Sequence, residues 1–136
     1  MSEKLCALRK IGGGTLKETV LWTNPSPTSA FTGQTVTLSR SYTDFDSIKI
    51  IYNMSETLQT QGEIILSKDM LDKITSSTAP SFRAAILMIN ASYSIRVRSI
   101  NTTNDSTQIN FSNSAPFNGA GIDNSYCVPI SIIGMR

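Results

Sequence analysis

Residues 81 to 101 read SFRAAILMINASYSIRVRSIN and predict two consecutive β-strands. The run AAILMI at residues 84–89 is apolar enough for a strand that is buried on both of its faces. Asn90 and Ala91 follow it and leave little room for a loop, so the two strands form either a tight hairpin or one bent strand.

The second strand of this pair alternates with a period of two. Tyr93, Ile95 and Val97 fall on one face, which we expect to pack in the core. Arg96 and Arg98 fall on the other face. Because charged side chains keep their hydration most easily at the surface, we expect the two arginines to lie on a solvated sheet face.

Further strand signals recur on both sides of this pair, each bounded by turn residues. They are ETVLWTN, TGQTVTLS, DSIKIIYNM and GEIILS before the pair, and TQINFSNS and CVPISIIGM after it. Pro129 cannot donate a hydrogen bond to a neighbouring strand, so the last strand either runs along an edge or begins with a bulge. In KDMLDKITSS, apolar residues at helical spacing follow Ser67, which predicts one short helix with a serine cap.

These signals add up to an all-β domain. We expect an antiparallel β-sandwich, jelly-roll-like, of about eight strands with at most one short helix. An orthogonal barrel is the main alternative. The length of 136 residues is typical of one domain.

Composition and charge argue against several classes of partner. The net charge of +2 is too small, and the basic residues too scattered, to predict nucleic-acid binding. The longest apolar run is far shorter than a membrane span, and the first residues lack the apolar core of an export signal. We therefore expect synthesis in a cytoplasm and no membrane contact.

Residues 1–17 have a different character from residues 18–136, which hold the strand signals. A stretch compatible with a short helix, SEKLCALRK, runs into three glycines that break regular structure and act as a hinge. We expect this segment to dock on other proteins as a tether, while a frayed terminus or a first strand is the alternative. The candidate docking residues are Leu5, Leu8, Ile11, Gly12, Gly13 and Gly14.

The chemistry available to an active site is limited. The chain has no histidine, which excludes the usual catalytic triads and histidine zinc sites. Cys6 and Cys127 stand alone and are expected to remain thiols in a reducing compartment. Asp44 and Asp46 are the only neighbouring carboxylate pair that could serve a glycan hydrolase, and a polar turn is the better interpretation. We therefore predict no enzymatic activity, no metal and no cofactor.

One loop and several aromatic residues could instead bind a ligand. The stretch FNGAGIDNS at residues 117–125 is rich in amide and carboxylate oxygens, including Asn118 and Asp123. Trp22 and Tyr126 could stack on a sugar if they were exposed, although most aromatic residues are in phase with aliphatic neighbours and favour core packing. These residues predict, as an alternative function, a carbohydrate-binding or host-receptor module.

Two stretches also resemble a known family. LWTNPSPTSAFTGQTVTLSRSYTDFDSIKIIYN, residues 21–53, and CVPISIIGMR, residues 127–136, are similar to segments of short structural proteins of tailed bacteriophages. The resemblance implies a virion protein of the tail, fibre or head-decoration type, made in the host cytoplasm. It also implies contacts with other virion proteins and assembly as a homo-oligomer, with a trimer favoured. A host-surface glycan is the additional partner that the carbohydrate-binding alternative predicts. The resemblance carries over no catalytic residues.

Overall fold

A computed structural model describes residues 17–75, 83–90, 92–119 and 121–136. The candidate docking residues from Leu5 to Gly14 lie outside the described residues, and so does Cys6.

The described residues form nine strands, one α-helix and one 3₁₀ turn, which is close to the predicted strand count. The elements are β1 (Glu18–Thr23), β2 (Gln34–Thr37), the 3₁₀ turn (Tyr42–Asp44), β3 (Ser47–Ser55), β4 (Gln61–Ser67), α1 (Lys68–Lys73), β5 (Ala84–Ile89), β6 (Ile95–Thr102), β7 (Gln108–Phe111), β8 (Ala115–Pro116) and β9 (Tyr126–Met135).

The strands form two antiparallel sheets. The front sheet has the order β1-β9-β3-β4, and the back sheet has the order β2-β7-β6-β5 with the short β8 also paired to β6. No strand of the described chain belongs to both sheets, and one apolar core holds residues from each. The predicted all-β sandwich is therefore confirmed.

The core follows the alternation expected from the sequence on most strands. Ile48, Ile50 and Tyr52 of β3 are all buried, and they share the core with Ile109 and Phe111 of β7. Removing such side chains from water is the main favourable contribution to folding, about 1.5–3 kcal/mol for each large apolar residue.

The last strand, β9, lies in the interior of its sheet between β1 and β3, so the edge position offered for Pro129 is wrong. The alternative prediction, a bulge in this strand, is correct. Ile51 pairs with Ser131 and Tyr52 pairs with Pro129, so Ile130 is an extra residue in β9. The bulge lets the strand pass a proline without a regular ladder at that point.

The helix α1 begins where the sequence predicts. The Ser67 side chain accepts a hydrogen bond from the backbone N–H of Met70 at 3.2 Å, which is the expected N-cap contact. Leu71 and Ile74 are buried and fix the helix to the core.

The hairpin of β5 and β6 forms as one of the two predicted alternatives, with Ile89 opposite Ile95. Its burial differs from the prediction in two ways. Strand β5 is not buried on both faces, because Leu87 is 46% exposed and Ile89 is 57% exposed. The reason is that the sandwich has two layers, so only one face of a back-sheet strand packs against the front sheet.

The two faces of β6 are also inverted relative to the prediction. Arg98 is fully buried and lies opposite the buried Ile86, whereas Val97 lies opposite the exposed Leu87. Tyr93 is not in the core either and is 88% exposed. The expected solvated arginine face is thus the inner face of the strand.

Candidate ligand-binding groove beside Arg96

Arg98 can be buried because backbone carbonyls accept its hydrogen bonds. Its Nε donates to the carbonyl of Cys127 at 2.8 Å, its Nη1 to that of Ser112 at 2.7 Å, and its Nη2 to that of Tyr126 at 3.1 Å. A longer contact of 3.4 Å joins Nη2 to the carbonyl of Asn124. Burial lowers the pKa of Arg98 to about 10, so the guanidinium is still charged at neutral pH.

These contacts tie the chain around residues 112–127 to strand β6. The same region is held by its own side chains, because Asn124 accepts from the backbone N–H of Ser114 at 2.9 Å and donates to Asn113 at 3.0 Å. Ser125 donates its backbone N–H and its hydroxyl to Asp123. The second half of the 117–125 loop is therefore anchored to the sandwich.

Arg96 lies on the same face of β6 but has different surroundings. Its guanidinium lies over the ring of Tyr126, 4.7 Å from the ring centroid. Its Nε is buried and has no hydrogen-bond partner in the structure. The nearby Asp123 is engaged by Ser125, whose hydrogen bonds lower the pKa of Asp123, and Arg96 makes a smaller contribution in the same direction. Arg96 thus supplies a positive charge and an unused donor.

A groove of about 260 Å³ opens beside Arg96. It is formed by the start of β6, the turn before it and the chain after β8. Its lining residues are Tyr93, Ser94, Ile95, Arg96, Pro116, Phe117 and Asn118. Phe117 is 71% exposed and, like Tyr93, presents an aromatic ring at the surface.

The backbone holds both aromatic residues in place. Asn90 accepts hydrogen bonds from the backbone N–H groups of Ser92 at 2.9 Å and Ser94 at 3.0 Å, which closes the turn that carries Tyr93. Tyr93 itself has φ of 60°, a left-handed conformation that is uncommon for an aromatic residue. The N–H of Phe117 donates to the carbonyl of Ile95 at 2.9 Å. The two rings are therefore presented from well-defined backbone positions.

The structure brings three of the four predicted ligand-binding residues to this place. Asn118 lines the groove, Tyr126 packs against Arg96, and Asp123 lies close to the same arginine. Trp22 does not line it.

Trp22 packs instead in an aromatic cluster near β2. Its ring lies 6.0 Å from that of Phe31 and 6.2 Å from that of Phe111, and it borders a different groove of about 460 Å³.

The sequence analysis did not select Arg96, Tyr93 or Phe117 individually as ligand-binding residues. The sequence pattern placed Arg96 on a solvated sheet face and Tyr93 in the core. Phe117 opens the 117–125 loop that the sequence analysis did consider for ligand binding. None of the three carries a motif that links it to the others.

The carboxylates considered for hydrolysis have other contacts. Asp44 forms an ion pair with Arg40 at 3.2 Å, and its carbonyl accepts from Nε of Arg136 at 2.8 Å. Asp46 is exposed, and its backbone bonds to Met135 and Lys68. These contacts fit the polar turn that the sequence favours.

Cys127 is buried, and its burial raises the pKa of the thiol to about 11. In the part of the chain that the structure describes, no group of three or more histidine, cysteine or acidic side chains could hold a metal ion. Within the same residues, no helix is long and apolar enough to cross a membrane.

Comparisons with known proteins identify no relative of this chain. No protein-family model matches the chain, and no curated protein matches it either.

Proposed function

We propose that this chain is a non-enzymatic structural module of a bacteriophage virion that assembles with further copies of itself through the outer side of its back sheet. In this proposal the segment at residues 1–17 docks on other virion proteins, and a trimer is the favoured assembly. The observation that carries the proposal is an exposed apolar surface beside the last strand of the back sheet.

This surface, called the apolar face below, consists of outward-pointing residues on three strands. Leu87 lies opposite Val97, Ile89 lies opposite Ile95, and Ala115 of β8 pairs with Val97 from the other side. No charged side chain of the described residues lies between the members of this patch. Its members are Ala85, Leu87, Ile89, Ile95, Val97 and Ala115.

The rest of the outer surface of the sandwich mixes apolar and polar side chains. On the other half of the back sheet, Thr35 donates to Asn110 at 3.1 Å. On the outer side of the front sheet, Val20 and Ile65 are exposed, but Lys49 lies between them in the sheet and forms an ion pair with Glu18 at 3.1 Å. The apolar face therefore differs from its surroundings in the way that protein contact surfaces do.

A second copy of the chain is a suitable partner for this face. The face offers no charge that would select a charged partner, so another apolar surface complements it best, and each further copy carries the same one. Closed symmetric assemblies of identical chains are the commonest oligomers. Exclusion of water from the Leu87 and Ile89 side chains would stabilise the contact.

The contact is expected between faces rather than between strand edges. The phenol of Tyr52 in the front sheet donates to the carbonyl of Leu87 at 2.9 Å. Because this backbone carbonyl of β5 already has a partner, it hinders another strand from extending the sheet there.

The resemblance to phage structural proteins supports the virion part of the proposal. Its two segments, residues 21–53 and 127–136, are far apart in the chain. Nevertheless these segments contain half of β1 and most of β3 and β9, which are neighbouring strands of the front sheet, while β2 of the first segment lies in the back sheet. The fold therefore brings the two resembling segments together, as expected if they derive from one kind of module.

The proposal is tested on particles of the phage that encodes the chain. We expect the full chain to copurify with virions, whereas a variant lacking residues 1–14 folds but is absent from them. Ile89→Lys should also be lost from particles, and Ile65→Lys on the front sheet should be retained, since the two side chains are 57% and 56% exposed. Copurification of the truncated chain would refute the docking segment, and virions without the full chain would refute the proposal.

A further inference from the structure

We infer that the groove beside Arg96 is a binding site for an acidic saccharide, whose carboxylate pairs with Arg96 while a sugar ring stacks on Tyr93 or Phe117. This inference goes beyond the proposed assembly role and does not depend on it, because it rests on Arg96, Tyr93 and Phe117, although Ile95 borders both the groove and the apolar face.

The first argument is the state of Arg96. A guanidinium presents its donors in a planar fork that fits a carboxylate with two parallel hydrogen bonds. In Arg98 these donors are used by backbone carbonyls, whereas in Arg96 the Nε is buried and has no partner in the structure. A buried donor without a partner is costly, so the guanidinium of Arg96, which lines the groove, is less well satisfied within the fold than that of Arg98.

The second argument is the positioning of the guanidinium. It lies 4.7 Å from the centre of the Tyr126 ring, which favours a cation there. Asp123, an acid that interacts electrostatically with Arg96, accepts hydrogen bonds from the backbone and the hydroxyl of Ser125. The charge of Arg96 is thus held beside the groove and stays available to an anion.

The third argument is the pair of exposed rings. Phe117 and Tyr93 line the groove together with Arg96 and are largely exposed. An aromatic face is an apolar platform for the C–H groups of a sugar ring, and Tyr93 is held in an uncommon backbone conformation to present one. A bare phosphate would gain nothing from these rings, so a saccharide fits the lining better than an inorganic anion.

The size and rim of the groove agree with one sugar residue. Its volume of about 260 Å³ is slightly below the range of about 300–1,000 Å³ that is usual for sites enclosing drug-sized ligands. Ser94 and Asn118 border it and are exposed. A hydroxyl and an amide can both donate to and accept from sugar hydroxyls.

The test uses an array of oligosaccharides that carry uronic or sialic acids, printed beside their neutral counterparts and beside sulfated ones. We expect the full chain to bind at least one carboxylate-bearing glycan and not its neutral counterpart. Arg96→Gln should weaken that binding by about tenfold or more, because a charge-assisted pair is lost. The matched control is Arg83→Gln, which changes an exposed arginine on the other end of the β5–β6 hairpin and should bind as the wild type does.

Two further variants separate the aromatic contribution from folding. Phe117→Ala removes an exposed ring, and Tyr93→Asn replaces a tyrosine by a residue that tolerates a left-handed backbone. Both should retain the wild-type melting temperature and bind the glycan about fivefold or more weakly. Leu87→Lys, which places a charge on the apolar face opposite Val97 and outside the groove lining, should bind the glycan as the wild type does, which keeps this inference apart from the assembly proposal.

Three outcomes would overturn the inference. The first is that no carboxylate-bearing glycan is bound. The second is that neutral or sulfated glycans bind equally well, which would indicate nonspecific adhesion or simple charge attraction. The third is that a folded Arg96→Gln variant binds with unchanged affinity.

Discussion

The two faces of strand β6 contribute to the molecule in opposite ways, although their residues alternate one by one. The inner face holds Arg98 in the core, where backbone carbonyls accept its hydrogen bonds. The outer face holds Ile95 and Val97 beside the exposed Leu87 and Ile89 of β5. A charge thus lies inside the sandwich and aliphatic side chains lie on its surface.

The difference shows that a charged group can be buried where hydrogen-bond partners are available to it. A guanidinium in the core is tolerated when its donors are matched, and it then joins segments that have no regular pairing with each other. Exposed aliphatic residues are tolerated when another surface covers them in the assembled state. The inner face therefore stabilises the fold, and the outer face is available for contacts between chains.

Replacement of Arg98 should produce the largest effect on stability. In Arg98→Met the carbonyls of Ser112, Tyr126 and Cys127 lose their donor inside the protein, and we expect the free energy of unfolding to fall by about 3–5 kcal/mol. Urea denaturation followed by circular dichroism measures it. Arg98→Lys should be nearly as damaging, because an ammonium group cannot reproduce the fork.

The control for this prediction is Arg83→Met, a change at an exposed arginine that should alter stability by no more than about 0.5 kcal/mol. An Arg98→Met variant as stable as the control would show that the carbonyl contacts do not hold the 112–127 region to β6.

Cys127, which contributes a carbonyl to Arg98, should make stability fall at alkaline pH. Burial raises the pKa of its thiol from 9.0 to about 11, so between these pH values the unfolded chain releases a proton that the folded chain keeps. The stabilisation is fully present below pH 9 and is lost as the pH rises toward 11, by on the order of 2 kcal/mol.

Denaturation curves across this pH range, in a Cys6→Ser background, measure the loss. The Cys127→Ser variant is the control, and its stability should fall less steeply because that position no longer ionises. Equal pH dependence in the two proteins would contradict the assignment.

Arg96→Gln should have the smallest effect on stability. Its guanidinium contacts the Tyr126 ring, and its Nε makes no hydrogen bond in the structure, so the free energy of unfolding should fall by no more than about 1 kcal/mol. The same denaturation assay compares it with Arg98→Met. A loss as large as that of Arg98→Met would mean that both arginines stabilise the fold and would weaken the distinction between them.

Much of the fold is readable from the sequence. The alternation in DSIKIIYNM correctly places Ile48, Ile50 and Tyr52 in the core, and Ser67 correctly marks the start of the helix. These features depend on neighbouring residues, so local patterns contain the necessary information.

Local patterns could not reveal which face of β6 is inside the sandwich. A period of two separates the faces of a strand but does not say which face is inside, and the charge of Arg98 argued for the wrong one. Its carbonyl partners at Ser112 and Cys127 lie far along the chain and become available only through the folded arrangement. Loop composition pointed to Asn118 and Asp123, and aromatic character to Tyr126, but the groove itself exists because β6 pairs with β8.

The mass of the protein in solution tests the central claim most directly. Light scattering should give an oligomeric mass for the wild type, with three times the 14.8 kDa of one chain favoured. Ile89→Lys on the apolar face should reduce it to the mass of one chain, and Ile65→Lys on the front sheet should leave it unchanged. A wild type with the mass of one chain at every concentration, or an assembly disrupted by Ile65→Lys and not by Ile89→Lys, would contradict the account.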